Sequence, residues 1–252
     1  MSSQELAESY DEKYHQSNYF RYRLWLYRPF VKALVGRVGL RSGDRLLDAG
    51  CGQGFFTRLF AEHGINAVGV DISTAGVSAA RQASRSSGAT FEVGDVLELT
   101  WRNEFDCVFS RSCSLYNSEN FETKHEITDR LLTYVRPGGI LIFDYYSKLG
   151  GKKKPQQWIY HSLANVRNHF SRYPGAEVYF SLRFDTMLFR RFTLTPSVTC
   201  VSARLSHRMG IGGELIALVR KTPAVIDSTV DCHGFGRGIG YKDNMCSFVS
   251  RQ

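Results

Sequence analysis

Apolar residues fall into two rhythms over the first 146 positions. Short, nearly continuous apolar runs recur at "DRLLDAG" (44–50), "INAVGVD" (65–71), "ATFEVGD" (89–95), "FDCVFS" (105–110) and "ILIFDYY" (140–146). Each is bounded by turn residues and has the length of a buried strand. Between them the spacing is helical. "PFVKALVGRVGL" sets Val31, Leu34, Val35 and Val38 on one face behind Pro29. Phe55, Leu59 and Phe60 open a helix that stops at Gly64, and Ser73 is placed to cap the next. "ETKHEITDRLLTYV" (122–135) reads as a helix ended by Pro137-Gly138-Gly139. Strands alternating with helices predict a parallel sheet covered on both faces, because parallel neighbours need crossover connections. No internal repeat is found.

After residue 146 the rhythm changes. "GGKKKP" (150–155) reads as a flexible basic connector, and Ile159, Leu163, Val166 and Phe170 then share one helical face, closed by Pro174-Gly175. "AEVYFSLRF" (176–184) and "ELIALVRKT" (214–222) are two further strands. The piece between them has a helix start at Thr195-Pro196, a stripe of Val198, Val201, Leu205 and Met209, and a stop at Gly210. It is predicted to be a small helical cap, about residues 185–212, whose apolar side packs on the body of the protein. Residues 1–39 are predicted to form a helical lid, 40–221 the main domain and 222–252 a loosely ordered tail.

Charge changes the picture only when it is divided. The chain of 252 residues carries +8, but residues 1–145 carry −2, residues 146–221 carry +10 and the remainder is neutral. Either the lysines and arginines of the later part solvate a surface, or that part meets something anionic. No run approaches the ~18–20 apolar residues of a membrane span, and the start is polar and acidic, so the cytoplasm is expected. Six cysteines form no C-x-x-C pair, which gives zinc and dithiol chemistry no support. Cys51 has no neighbouring base or cation in sequence and reads as a small loop residue.

The chemistry is concentrated in "LLDAGCGQG". In an open parallel sheet, ligands sit beyond the carboxyl ends of the strands where the strand order reverses, and glycines let them approach the backbone. Gly50, Gly52 and Gly54 give G-x-G-x-G; a dinucleotide loop would need its third glycine where Phe55 stands. Asp71 ends the second strand, from which a carboxylate can accept from both ribose hydroxyls. Asp95 ends the third, where it can accept from an adenine amino group while Val96 donates from its backbone.

Taken together, "LLDAGCGQG", "VGVDIS", "FEVGDV", "FDCVFS" and "VRPGGILIFDY" resemble the class I S-adenosylmethionine-dependent methyltransferases, over residues 40–146 and again at the last strand. The resemblance implies a Rossmann-like α/β fold, a seven-stranded, mostly parallel sheet with an antiparallel last strand and helices on both faces. It also implies S-adenosyl-L-methionine as cofactor. Carried over residue by residue, Ala49, Gly50 and Gly52 border the methionine portion and Asp48 orders the loop. Asp71 and Ile72 take the ribose and flank the adenine, Asp95 and Val96 take the adenine edge, and Ser110 lies near the methionine end. Tyr14 or Tyr19, in the aromatic segment "YDEKYHQSNYFRYR", is the expected lid contact.

Methyl transfer needs alignment and exclusion of water more than it needs a catalytic side chain. His161 is the candidate base. After strand four, "SRSCSLYN" replaces the Asn/Asp-Pro-Pro-aromatic loop used on amino groups of bases, and no Pro-Cys pair exists for attack on cytosine. The expected acceptor is therefore a small, anionic molecule, methylated at oxygen ahead of nitrogen. The alternatives are an RNA methyltransferase that tracks phosphates with the basic segment, and a non-catalytic module that only binds the cofactor. A peripheral membrane contact through "MLFRRFTLTPSVTCVSARLSHRM" is a further reading. Oligomeric state is not legible.

Overall fold

A computed structural model describes residues 3–15, 21–85, 88–147, 158–182 and 194–222. Helices α1 (Ser3–Tyr14) and α2 (Leu24–Val38) precede the sheet. There follow β1 (Arg45–Ala49), α3 (Phe55–Ala61), β2 (Asn66–Asp71), α4 (Thr74–Ala83), β3 (Thr90–Val93) and β4 (Phe105–Arg111). Next come α5 (Glu126–Tyr134), β5 (Val135–Tyr146), α6 (Leu163–Phe170), β6 (Glu177–Ser181), α7 (Pro196–Met209) and β7 (Glu214–Arg220). The seven strands lie in the order β3-β2-β1-β4-β5-β7-β6, and β7 runs antiparallel to both its neighbours. This is the Rossmann-like methyltransferase arrangement, with helices on both faces.

Burial on both faces explains why the strands are apolar throughout instead of alternating. Leu47, Ala49, Val108, Leu141 and Phe143 point to one side, where α5 and α6 supply Ile127, Leu131, Val166 and Phe170. Leu46, Cys107, Phe109, Ile140 and Ile142 point to the other, against Phe30, Val31, Leu34, Phe56 and Phe60 of α2 and α3. The sequence order turns back between β1 and β4, so their carboxyl ends diverge and leave a crevice between the connecting loops.

Four details differ from the expectations. Strand β5 begins at Val135 rather than after the Pro-Gly-Gly turn. Val135 pairs with Phe105 and Ile140 with Cys107, so residues 136–139 bulge outward from a strand that continues on both sides. Helix α5 begins at Glu126 after a 3-10 turn at Phe121–Thr123. Helix α6 begins at Leu163, because Ser162 and Asn165 form a reciprocal cap; Ile159 and His161 therefore precede the helix. Helix α7 is the largest departure. Its buried residues are Thr199, Ser202 and Ser206, whereas Val201, Leu205 and Met209 are 42–50% exposed. Thr199 Oγ1 accepts from Phe180 N at 3.3 Å and Ser206 Oγ donates to Ile211 O, so hydroxyls satisfied by backbone fix this face inward. The connector 150–155 and the tail from 223 onward lie outside the described residues.

Gly54 starts α3 with φ +69°, and a Cβ there would stand 2.4 Å from the Phe91 ring and 2.8 Å from Ala80 Cβ. Gly138 has φ +78° with open space around it. Gly138→Ala is expected to cost about 1–2 kcal/mol from left-handed strain alone. Gly54→Ala is expected to cost about 2–5 kcal/mol, because crowding adds to strain. Urea melts of both variants check this, and equal losses would show that the Phe91 contact relaxes freely.

Candidate functional site

The crevice holds a cavity of about 650 Å³, inside the ~300–1,000 Å³ range of small-ligand sites. One side is built by the turn after β1. Gly50 N and Cys51 N both donate to Val70 O, at 2.9 and 3.1 Å, which folds the loop back over the end of β2. Asp71, the last residue of β2, then locks it. Its Oδ2 accepts from Gly52 N at 2.7 Å and its Oδ1 accepts from Ser73 N at 2.9 Å. A carboxylate offers about four acceptor directions, so two remain for vicinal hydroxyls. Burial pushes the Asp71 carboxyl up and the two backbone donors pull it back.

Tyr14 lies across the loop. Its hydroxyl is 2.7 Å from where a Cβ on Gly52 would be, so only glycine at 52 leaves room for the ring. Gln53 Nε2 donates to Tyr14 O at 3.1 Å. Helix α1 is fastened further along by Asp11, whose Oδ1 accepts from Ser73 Oγ and from Ala75 N at 3.0 Å, at the start of α4. At its first residue, Ser3 Oγ donates to Asp95 Oδ2 at 3.0 Å, while Asp95 Oδ1 accepts from Leu97 N at 2.9 Å.

Asp48, Gly50, Gly52, Asp71, Ile72, Asp95, Val96 and Tyr14 all line the cavity, so the structure brings together the expected loop, ribose and adenine residues. Ala49 and Ser110 do not line it; both are buried within strands, at 0% and 1% exposure. From β4 the wall is instead made by Arg111, Ser112, Cys113, Ser114 and Leu115, since side chains alternate along a strand and Ser110 points into the sheet face. Tyr19 falls outside the described residues. His161 is a correction. It is 4% exposed, its Nε2 bonds Tyr116 O at 2.9 Å, and its ring stacks on Phe121 at 4.0 Å, away from the cavity wall. A base role does not fit a ring so enclosed.

The residues that sequence reasoning missed form the far end of the cavity. Arg111 is fully buried between Asp144 at the end of β5 and Glu214 at the start of β7. Its Nη1 donates to Asp144 Oδ2 and, at 2.8 Å, to Glu214 Oε2; its Nη2 donates to Glu214 Oε1 at 2.6 Å. The rings of Phe56, Tyr27, Tyr146 and Tyr22 lie 4.6–5.4 Å from the guanidinium carbon. The two carboxylates hold Arg111 charged despite its burial. A signal existed: one arginine and two acids, each embedded in an apolar run, are seldom buried unless they meet one another.

No helix among the described residues is long and apolar enough to cross a membrane. The Cys51 and Cys113 thiols are held protonated by burial, Cys113 being pushed up to about 12, so neither is a poised nucleophile.

A glycine loop after β1, a carboxylate ending β2 and an acidic residue ending β3, on a sheet of this order, define the class I S-adenosylmethionine-dependent methyltransferase fold. The chain matches the family model described as "Methyltransferase domain" over residues 40–182 and belongs to that family. It is 33% identical to phosphoethanolamine N-methyltransferase 1 of Triticum aestivum over 120 residues, 46% of this chain and 23% of the wheat protein. It is 29% identical to malonyl-[acyl-carrier protein] O-methyltransferase of Serratia marcescens, over 47% of this chain and 44% of that one. In each case the match spans less than half of the relative. Among solved structures, Haemonchus contortus phosphoethanolamine N-methyltransferase 2 in complex with S-adenosyl-L-methionine shares the fold, with a TM-score of 0.59 and 20% identity, over 84% of this chain and 60% of that one. The cradle described above fits the same cofactor: Asp71 has acceptor capacity to spare and lines the cavity beside Gly50 and Gly52.

Asp48 carries a pH signature. It is buried beside Thr57, whose hydroxyl donates to it at 2.6 Å, and burial raises its carboxyl from 3.8 to about 7. The folded state therefore holds a proton that the unfolded chain releases. This group's contribution to stability is complete below about pH 4 and is lost as pH rises through about 7. Relative to Asp48→Asn, the wild type is expected to lose up to about 4 kcal/mol between pH ~4 and ~8. Urea melts at the two pH values measure it; a pH-independent difference would mean that Asp48 stays ionised.

Proposed function

We propose that this chain is an S-adenosylmethionine-dependent methyltransferase acting on a small, anionic acceptor, at oxygen ahead of nitrogen. The observation that carries the reading is the continuity of one cavity. It runs from the Asp95–Val96 end, past the Gly50–Gly52 loop, to an aromatic end formed by Tyr22, Leu24, Phe55 and Phe56 around the buried Arg111. Asp71 would take the ribose hydroxyls, Asp95 and Val96 the adenine edge, Ile72 its face, and the Gly50–Gly52 backbone the methionine portion. The cofactor supplies an activated methyl group; the protein's task is to align the acceptor with it and to keep water out.

No histidine and no lysine lines the cavity among the described residues. An acceptor that enters already ionised, such as a carboxylate or a phenolate, needs none. Its attack on a sulfonium consumes one charge of each sign, so a dry aromatic end favours the transition state over the separated ions. The guanidinium of Arg111 is already committed to Asp144 and Glu214. Arg58 also lines the cavity, donating to Gln53 O at 3.1 Å, and attraction of an anion is assigned to it and to exposed cations of the +10 segment such as Arg204 and Arg208. Arg190 and Arg191 of that segment lie outside the described residues.

Calorimetry against S-adenosylmethionine, its demethylated product and NAD, followed by a labelled-methyl screen of carboxylates, phenols, amines and RNA, tests the reading. The two sulfur ligands are expected to bind and NAD to fail. Asp71→Ala is expected to weaken cofactor binding by about 1.5–3 kcal/mol, the range for lost charge-assisted hydrogen bonds. Unchanged affinity in a folded variant would remove Asp71 from the site. Label on RNA, or cofactor binding without label on any class, would replace the reading by one of its rivals.

A further inference from the structure

Among the described residues six large apolar side chains are exposed: Leu24, Trp25, Val93, Val201, Leu205 and Met209. Five of them belong to α2 and α7, and α2 starts at the carboxyl end of the sheet, beside Glu214 at the start of β7. The first turn of α2 is anchored there by Tyr27 Oη donating to Glu214 Oε1 at 3.2 Å, with Leu24 on the cavity wall and Trp25 beside it, 64% exposed. Helix α7 packs on β6. Thr199 bonds Phe180, next to the last residue of β6, and Ser206 bonds Ile211 on the approach to β7.

The outward face of α7 has two adjacent rows. Val201, Leu205 and Met209 follow one another at four-residue spacing, and Arg204 and Arg208, both exposed, run alongside. The helix contains no acidic residue. Its hydroxyl side is turned inward and its apolar side outward, the reverse of what packing against the protein would require.

We propose that the outward face of α7 is a docking surface for an anionic lipid bilayer. The chemistry of the two rows makes the choice. Apolar side chains insert at the headgroup boundary while flanking arginines meet lipid phosphates. A second copy of the chain across a two-fold axis would set Arg204 and Arg208 against themselves. RNA would use the arginines and leave Val201, Leu205 and Met209 in water. The assignment stands on surface residues, and its failure would leave the methyl-transfer reading untouched.

The test is co-sedimentation of the full chain with vesicles of phosphatidylcholine alone and with about 30% phosphatidylserine. Binding is expected to be at least about tenfold tighter to the anionic vesicles and to weaken with added salt. Leu205→Ser/Met209→Ser and Arg204→Gln/Arg208→Gln are each expected to lower it by about tenfold, with cofactor affinity and melting unchanged. Should a double variant fail to fold, the single Leu205→Ser and the salt titration of the wild type carry the test. Four results would overturn the proposal: no preference for anionic vesicles; variants that bind as the wild type does; polyuridylate binding that only the arginine variant loses; or a dimer, detected by ultracentrifugation, that the apolar variant abolishes while vesicles go unbound.

Discussion

Two hydrogen bonds to one carboxylate organise this molecule's ligand-facing side. Asp71 accepts from Gly52 in the loop after β1 and from Ser73 at the head of α4, and it is nearly buried while doing so. Leaving either backbone donor unpaired in such a place costs roughly 1–3 kcal/mol, so loop and helix are held where the carboxylate puts them. Ser73 in turn caps α4 through Gly76 N at 2.9 Å and donates to Asp11 of α1. Strand end, glycine loop, helix cap and the amino-terminal helix thus meet within one short network. A substitution at Asp71 removes the reference point of three structural elements.

A second knot closes the other end of the cavity. Arg111, Asp144 and Glu214 stand at the ends of β4 and β5 and at the start of β7. Burying three charges is costly, and such clusters contribute little net stability compared with apolar packing. What they supply is position: each strand end is tied to the next, and the aromatic rings of α2 and α3 are gathered around one fixed cation. The wall there is largely apolar, although an arginine and two carboxylates meet at and beneath it.

The strands and their order of appearance were legible because burial on both faces turns each into an apolar run with a turn after it. That Gly50, Gly52, Asp71 and Asp95 would meet at one cavity was legible for a similar local reason: each ends or closely follows a strand, where position in sequence fixes position in space. Arg111 was not, since its meaning depends on Asp144 and Glu214, which are 33 and 103 residues away. His161 drew attention as a titratable group near the expected acceptor side. A one-residue bridge to Ser147 instead brings it under the loop that carries Tyr116 and Phe121. The stripe on α7 misled because periodicity reports that a helix has two faces and is silent on which faces inward. Thr199 and Ser206 win the interior there by satisfying backbone groups that an aliphatic side chain would leave unpaired.

The two amino-terminal helices are held by different means. Helix α2 buries Tyr27, Phe30, Val31, Leu34 and Val38, enough apolar surface to fix it to the sheet regardless of any ligand. Helix α1 buries only Tyr14 and is otherwise fastened by Ser3 to Asp95 and by Asp11 to Ser73 and Ala75. Tyr14 rests on Gly52 and Ser3 bonds Asp95, so the contacts that dock α1 lie on residues that line the cavity. Any ligand that binds only when α1 is docked shifts the docking equilibrium in its own favour. The opposite end of the cavity, built on α2 and on the Arg111 cluster, rests instead on buried apolar contacts and ion pairs.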